Sequence, residues 1–148
     1  MKTKKPFSAK EFREIYSKVS RLCVDLIIKT SDGVALSLRS IEPYKGQWHF
    51  PGGTVFYKEK ITDAIKRVAK EEVGIKVNID RLLGYIEYPS EERDRGFGYT
   101  VTLAFLCTTK YKIFKPDQNS LGIKVFKKLP VNMVREQYKF LKPIWHRI

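Results

Sequence analysis

Apolar and polar residues follow two periods along this chain, and the switches between them mark out the elements. Phe12, Ile15, Tyr16 and Val19 recur at helical spacing. They follow Phe7-Ser8-Ala9-Lys10-Glu11, which has the form of a capping box with a hydrophobic staple, so a helix is expected near residues 9–20. Leu22 to Lys29 reads as a strand, Ser31-Asp32-Gly33 as a hairpin turn and Val34 to Arg39 as the partner strand. Gln47 to Phe50 is a short strand, and Pro51-Gly52-Gly53 reads as the turn into a second helix. On that helix Ile61, Ile65 and Val68 share one face, and Gly74 is its stop. Lys76 to Ile79, Leu82 to Tyr88 and Tyr99 to Thr109 read as strands, separated by a polar loop at Pro89–Gly98. A second loop at Lys115–Gly122 precedes a strand at Val125 to Pro130, and Val131 to Leu141 predicts a last helix ending before Pro143. Helix, sheet, helix, sheet, helix in this order predicts an α/β sandwich around a mixed sheet. No linker or repeat interrupts the pattern, so residues 1–148 are expected to form a single domain.

The second helix ends unusually. Glu71 and Glu72 lie at i+3 and i+4 from Val68, and Glu72 falls about 40° around the helix from it, near the apolar face. Two carboxylates at a helix C-terminus oppose the macrodipole. A bound divalent cation would relieve them, and oxygen ligands suit Mg²⁺ or Mn²⁺. The competing reading is a solvated acidic pair balanced by Arg67, Lys70 and Lys76.

Composition narrows the partner. Twenty-nine Lys and Arg against 16 Asp and Glu give a net charge of +13. Such a surface favours a polyanionic partner. The lysines are scattered, the longest basic cluster is Lys2–Lys5, and no basic-aromatic RNA-binding motif occurs, so a nucleotide is favoured over a nucleic acid. No apolar run approaches the roughly 20 residues that span a membrane. The start of the chain has basic residues without a following apolar stretch, so no secretory signal and a cytoplasmic location are expected. Cys23 and Cys107 sit in strand-like runs as small buried thiols, without zinc-site spacing.

The run from Gly53 to Ile75 resembles the Nudix box. It reads Gly53-Thr-Val-Phe-Tyr-Lys-Glu59, seven residues, Arg67, then Val68-Ala-Lys-Glu71-Glu72-Val-Gly74-Ile75. Every fixed position of the family pattern is matched but one: Val68 stands where the family has glutamate. The resemblance implies a Nudix-type α/β/α sandwich and a metal-dependent hydrolase of a nucleoside-diphosphate-linked small molecule, for which a homodimer is a compatible assembly. Over nearly the whole chain the likeness is strongest to the GDP-mannose mannosyl hydrolases. It rests on Val24-Asp25-Leu26-Ile27, Arg39, Pro43, Gly46-x-Trp48, Pro51-Gly52-Gly53 and the absence of that same glutamate. The Glu42-Pro43-x-Lys45-Gly46-x-Trp48 run is also similar to that of ADP-ribose pyrophosphatases of the family.

The mannosyl hydrolases add water at the sugar's anomeric carbon and release the nucleoside diphosphate with inversion. Their metal lies on a glycine carbonyl, the last Glu of the box and a Gln of a later loop. Carried over, the resemblance implies metal ligands at Gly52 and Glu72, with Gln118 or Asn119 as the amide, and Arg39 on the leaving diphosphate. Glu71 is a further candidate ligand. The family's base, a histidine in that loop, falls at Ser120, and Thr54 replaces an arginine after the glycine pair. Serine accepts no proton at neutral pH, so Asp117, Glu87 and the acids Glu91, Glu92 and Asp94 are the alternatives. Asp117, Arg67, Glu71 and Glu72 are the expected catalytic set, and Asp25, Arg39, Gly53 and Tyr88 the expected substrate contacts.

Each has a competing structural role. Arg67 reads as an anchor for Glu71, Glu59 as a helix-start acid, and Asp25 as either a ribose or base contact or one half of a salt bridge. His49 and His146 read as structural and solvated, Trp48 and Phe50 as core, and Tyr85, Tyr88, Phe97 and Tyr99 as candidates to stack on a base. Phosphorus-attacking pyrophosphatase, nucleotide sensor and RNA-interacting protein stand as the alternative functions.

Overall fold

The computed structural model describes residues 5–148; most of the Lys2–Lys5 cluster therefore lies outside the described residues. Helix α1 (Ala9–Tyr16) starts at the expected box: Ser8 Oγ accepts from the Glu11 amide, and the Glu11 carboxylate accepts from the Ser8 amide. It is shorter than its apolar stripe suggests. The Ser17 hydroxyl turns back onto the Arg13 carbonyl, and Val19 is 55% exposed.

The sheet is built around β1 (Arg21–Thr30). Beyond the turn, β2 (Gly33–Arg39) pairs antiparallel with the far half of β1, while β4 (Gly52–Thr54) pairs with its near half. The two-residue β3 (Trp48–His49) lies on β2. β6 (Thr100–Thr108) runs parallel to β1 over its length, and β5 (Asn78–Glu87) lies antiparallel on β6. β7 (Ser120–Phe126) covers the other edge of β2. The result is the expected mixed sheet. The two strands read at Lys76–Ile79 and Leu82–Tyr88 are one, β5, bent by irregularities between Ile79 and Arg81 and between Leu82 and Gly84.

Alternation along β1 sets the layers. Val24, Leu26 and Ile28 pack with Ala64, Ile65 and Val68 of α2 (Ile61–Val68). Ile27 points the other way, into a cluster with Phe50, Leu106, Val134 and Leu141, under α4 (Arg135–Leu141). Helices on both faces make the α/β/α sandwich. Four further local expectations change. The strand read at Val125–Pro130 is β7, which begins at Ser120, inside the expected loop, and ends at Phe126. The segment Pro89–Gly98 holds a short helix, α3 (Ser90–Arg95). The last helix begins only at Arg135; it ends at Leu141, before Pro143, as expected, and a 3₁₀ turn, Lys142–Arg147, follows with the proline in its first turn, where no amide is needed. Pro51-Gly52-Gly53 is not a turn but runs into strand β4.

That last correction has a steric basis. Neither Gly52 nor Gly53 has a positive φ. A Cβ on Gly52 would collide with the Asp25 carboxylate and lie 2.7 Å from the Val24 carbonyl; one on Gly53 would press on Val68 Cγ2 at 3.3 Å. The pair is there for close approach of β4 to β1 and α2 rather than for bending.

Candidate active site

The box helix does not end as an α-helix. After Val68 the backbone widens into a π turn, Ala69–Val73, closed by Gly74 in the left-handed conformation at φ 71°. Such insertions favour functional positions. This one turns the two adjacent glutamates to different partners. Glu71 Oε2 meets Arg67 at 3.4 Å, whereas Glu72 Oε2 accepts the Gly52 amide at 2.7 Å.

Arg67 is the brace of the box. Its guanidinium pairs with Glu59 at 2.8 Å, donates to the Thr54 carbonyl at 2.7 Å and stacks over the Phe56 ring at 3.9 Å. Glu59 also accepts from the Phe56 amide, and Arg67 holds its carboxyl below the usual range. Both residues therefore shape the loop before the helix, and Arg67 acts on the site through Glu71. Val68 is 2% exposed in the core beside Gly53, so the helix itself offers no base at that position.

Glu72 is the buried acid. Burial pushes its carboxyl up to about 8; the Gly52 amide and the charge of Arg39 oppose the rise, and Asp117 and Asp25 add to it. Among the described residues no side-chain ion pair reaches it. The Gly52 amide turns away from β1 towards Glu72, and in an extended strand the carbonyl of the same residue lies on that edge too. A buried carboxylate without a cation, beside a backbone carbonyl, is a donor set that fits a hard divalent ion. Among the described residues no three carboxylate, imidazole or thiol side chains form a metal-binding group by themselves. An ion here would complete its shell with amide, phosphate or water oxygens.

Arg39 stands at the end of β2 between two segments. On one flank its register partner is Ser120, just after Asp117-Gln118-Asn119; on the other, its amide donates to the Gln47 carbonyl and its Nε to the Pro43 carbonyl. Burial lowers its pKa, while Glu72 and Asp117 raise it. Asp117 is thus the loop residue whose charge both Glu72 and Arg39 feel. The loop is tied down by the Lys115 amide on the Val73 carbonyl at 2.8 Å and the Ser40 amide on the Asn119 carbonyl at 3.1 Å. The backbone N–H of Asn119 also donates to Asp117 Oδ1 at 3.0 Å. The Ser120 hydroxyl bonds Ser37 at 2.6 Å and the Gly122 backbone, a structural post and not a base.

Two of the other acids, Glu91 and Asp94, are engaged elsewhere. Glu91 is buried between Arg21 and Arg95, each at 3.2 Å, and accepts from Thr100 at 2.7 Å. Asp94 lies on Arg93 at the surface. Among the described residues Asp25 forms no salt bridge: its partner is the Tyr88 hydroxyl, and burial lifts its carboxyl to about 7. Tyr88 is 5% exposed, with its hydroxyl bonded to Asp25 and Gln137 Nε2, so its ring is not free to stack on a base. Phe97 is held among Phe12, Arg13 and Arg95, and Trp48 packs edge-on against Phe126; Tyr85 and Tyr99 remain exposed. His49 is structural, as expected: its Nδ1 lies 2.7 Å from the Phe50 carbonyl, and burial and then Arg39 bring its pKa down to about 4.

Two contributors escape the sequence reading. Arg21 takes Thr54 Oγ1 at 3.0 Å and so ties the residue after the glycine pair to Glu91. Gln137 bridges the Phe50 amide and Tyr88, linking α4 to the strand before Gly52. Its signal was available: a lone amide in the apolar spacing Val134-Gln137-Leu141.

Comparisons with known proteins agree with this geometry. Over 78 residues, 53% of this chain and 50% of the relative, it is 46% identical to the low-salt glycan biosynthesis protein Agl8 of Haloferax volcanii. Over 85 residues, 57% of this chain and 48% of the relative, it is 34% identical to an ADP-ribose pyrophosphatase of Methanocaldococcus jannaschii. The chain spans about half the length of these curated relatives. In three dimensions it resembles the MutT protein of Methanosarcina mazei, with a TM-score of 0.75 at 16% identity over 88% of this chain and 96% of that one. The NUDIX domain family model matches residues 19–143, a span that holds the box, its brace and the buried glutamate: the chain belongs to the Nudix family.

Proposed function

We propose that this protein hydrolyses a nucleoside-diphosphate sugar, adding water at the anomeric carbon of the sugar and releasing the nucleoside diphosphate. The observation that carries this reading is the burial of Val68 against Gly53. The box helix cannot supply a base there, while Asp117 stands outside it and is sensed by both Glu72 and Arg39. The likeness to the mannosyl hydrolases, which also lack that glutamate, points the same way. A relative named for glycan biosynthesis favours a sugar-bearing substrate.

The reaction needs three things of the chain. Glu72 and the Gly52 carbonyl, with Gln118 or Asn119, would hold Mg²⁺ or Mn²⁺. Bound there, the ion supplies positive charge to the diphosphate. Arg39 grips that diphosphate and stabilises the charge that grows as the bond from C1 to the β-phosphate oxygen breaks. Asp117 takes a proton from the water as its oxygen bonds to C1, and the electron pair of the broken bond leaves on the phosphate. The products are the free sugar, with inverted configuration, and the nucleoside diphosphate.

Product identity tests the first part of this reading, release of the nucleoside diphosphate, and placement of labelled water oxygen tests the point of attack. With Mg²⁺, GDP-mannose should give GDP and free mannose by chromatography, whereas ADP-ribose, whose ribose is joined to the diphosphate through C5 and not C1, should not be split in this way. Nucleoside monophosphate and sugar phosphate would instead make the protein a pyrophosphatase, as the methanogen relative is named. Tight binding without any turnover would make it a nucleotide sensor.

A further inference from the structure

A cleft of about 530 Å³ lies beside the site, between the 40–47 segment, α3 and α4. Its size is that of a small-ligand pocket. Tyr44, Ser90 and Glu136 line it, with Arg93, Arg135 and Lys139 as its cations. Glu136 is held in place: its Oε2 accepts both the amide and the hydroxyl of Ser90, and Ser90 Oγ in turn lies 2.9 Å from the Tyr44 hydroxyl. The other oxygen, Oε1, is buried and has no partner. A buried carboxylate oxygen left unpaired is costly, so a ligand donor is the natural completion.

The cleft is joined to the catalytic residues. Arg39 binds the Pro43 carbonyl next to Tyr44, and the Tyr44 ring lies 6.3 Å from that of Tyr88, which bonds Asp25 behind Gly52. Gln47, whose carbonyl accepts the Arg39 amide, lines the cleft, on the edge of β2 opposite the one paired with Ser120, which follows Asp117. A diphosphate centred on Arg39 would therefore have one substituent near Asp117 and the other near Tyr44. If the sugar's reacting carbon faces Asp117, the nucleoside faces the cleft.

We infer that this cleft receives the nucleoside and that Glu136 Oε1 accepts a ribose hydroxyl, so that the protein discriminates against nucleotides lacking that hydroxyl. The inference rests on the function proposed above. Its chemistry is specific. Both bonds from Ser90 fall on Oε2, so the two-oxygen grip that a guanine edge would need is unavailable, whereas one free oxygen suits a hydroxyl. The cations are placed to draw in the phosphates, and Tyr44 lies beside the base.

The experiment compares GDP with 2′-deoxy-GDP and 3′-deoxy-GDP, Mg²⁺ present, by calorimetry on the wild-type protein and on Glu136→Gln. In the variant, the amide oxygen stays on Ser90 and the NH₂ replaces the free acceptor with a donor. Wild type should bind GDP about tenfold more tightly than at least one deoxy form, and the variant should lose that ratio while keeping its melting temperature. Equal wild-type affinity for GDP and both deoxy forms overturns the inference, whether or not the variant folds. A ratio that survives Glu136→Gln also overturns it. So does a variant that loses only the affinity of GDP-mannose over GDP, because the hydroxyl read would then belong to the sugar. Failure of wild type to bind any nucleoside diphosphate would overturn the proposed function itself, and the inference with it.

Discussion

Glu72 is where burial, charge and chemistry conflict most directly. Its ordinary value of 4.5 rises to about 8 in the folded protein, chiefly through burial. The metal-free fold therefore holds a proton more tightly than the unfolded chain. The stability this adds is complete below about pH 4.5 and is lost as pH rises through about 8. The metal-free protein should melt at a falling temperature across that window, Glu72→Gln should flatten the fall, and the same variant should lose metal-dependent turnover by about 100-fold or more. Full turnover in Glu72→Gln would remove Glu72 from the metal. At Val68, restoring the family's glutamate would not simply restore a base. The side chain would enter the core beside Gly53, near a carboxylate already raised by burial. Val68→Glu is expected to cost about 3 kcal/mol in urea denaturation, without a gain in pyrophosphatase activity. A stable, newly active variant would contradict this packing.

Among the elements, the π turn and the 109–119 loop act as one unit. Gly74 ends the turn at φ 71°, and a Cβ there would lie 2.8 Å from Lys115 Cβ. Gly74→Ala should lose about 1–2 kcal/mol and lower turnover as well, since the displaced loop carries Asp117. A loss of stability with unchanged turnover would uncouple the loop from the site. Much of this region was legible in the sequence. The hairpin at Ser31-Asp32-Gly33, the capping box at Ser8 and Glu11, and the i,i+4 brace from Arg67 to Glu71 follow from local spacing, because each depends only on near neighbours. The π turn does not. Ala69 to Val73 would suit an α-helix equally well, and the widening brings in Gly74 and Lys115, one of them distant in sequence. The glycine pair read as a turn because its neighbours, Asp25 and Val68, are visible only once the strands are assembled. Helix α3 lacks an apolar stripe, and its anchor is a charged pair, Glu91 with Arg21, 70 residues apart.

For the whole molecule, the net charge of +13 makes association rather than chemistry sensitive to salt. Raising salt from about 0.05 M to about 0.5 M should raise KM for a nucleotide sugar while kcat holds. A fall in kcat with constant KM would assign the positive charge to the reaction step instead. The fold carries the same division of labour: the box helix packs on one face of the sheet, α4 and Gln137 support the strand before Gly52 from the other, and Arg39 lies between Asp117 and the Glu136 cleft.

The point of attack is the central claim, and isotope placement tests it most directly. Nucleoside diphosphate could be released by water entering at C1 or at the β-phosphorus, and the products alone look the same. Turnover of a nucleotide sugar in ¹⁸O-labelled water with Mg²⁺, followed by mass spectrometry of both products, separates the two. With Val68 in place of the box glutamate and Asp117 as the acceptor, the label should appear in the free sugar and be absent from the nucleoside diphosphate. Label in the phosphate would contradict the account and place the attack at phosphorus.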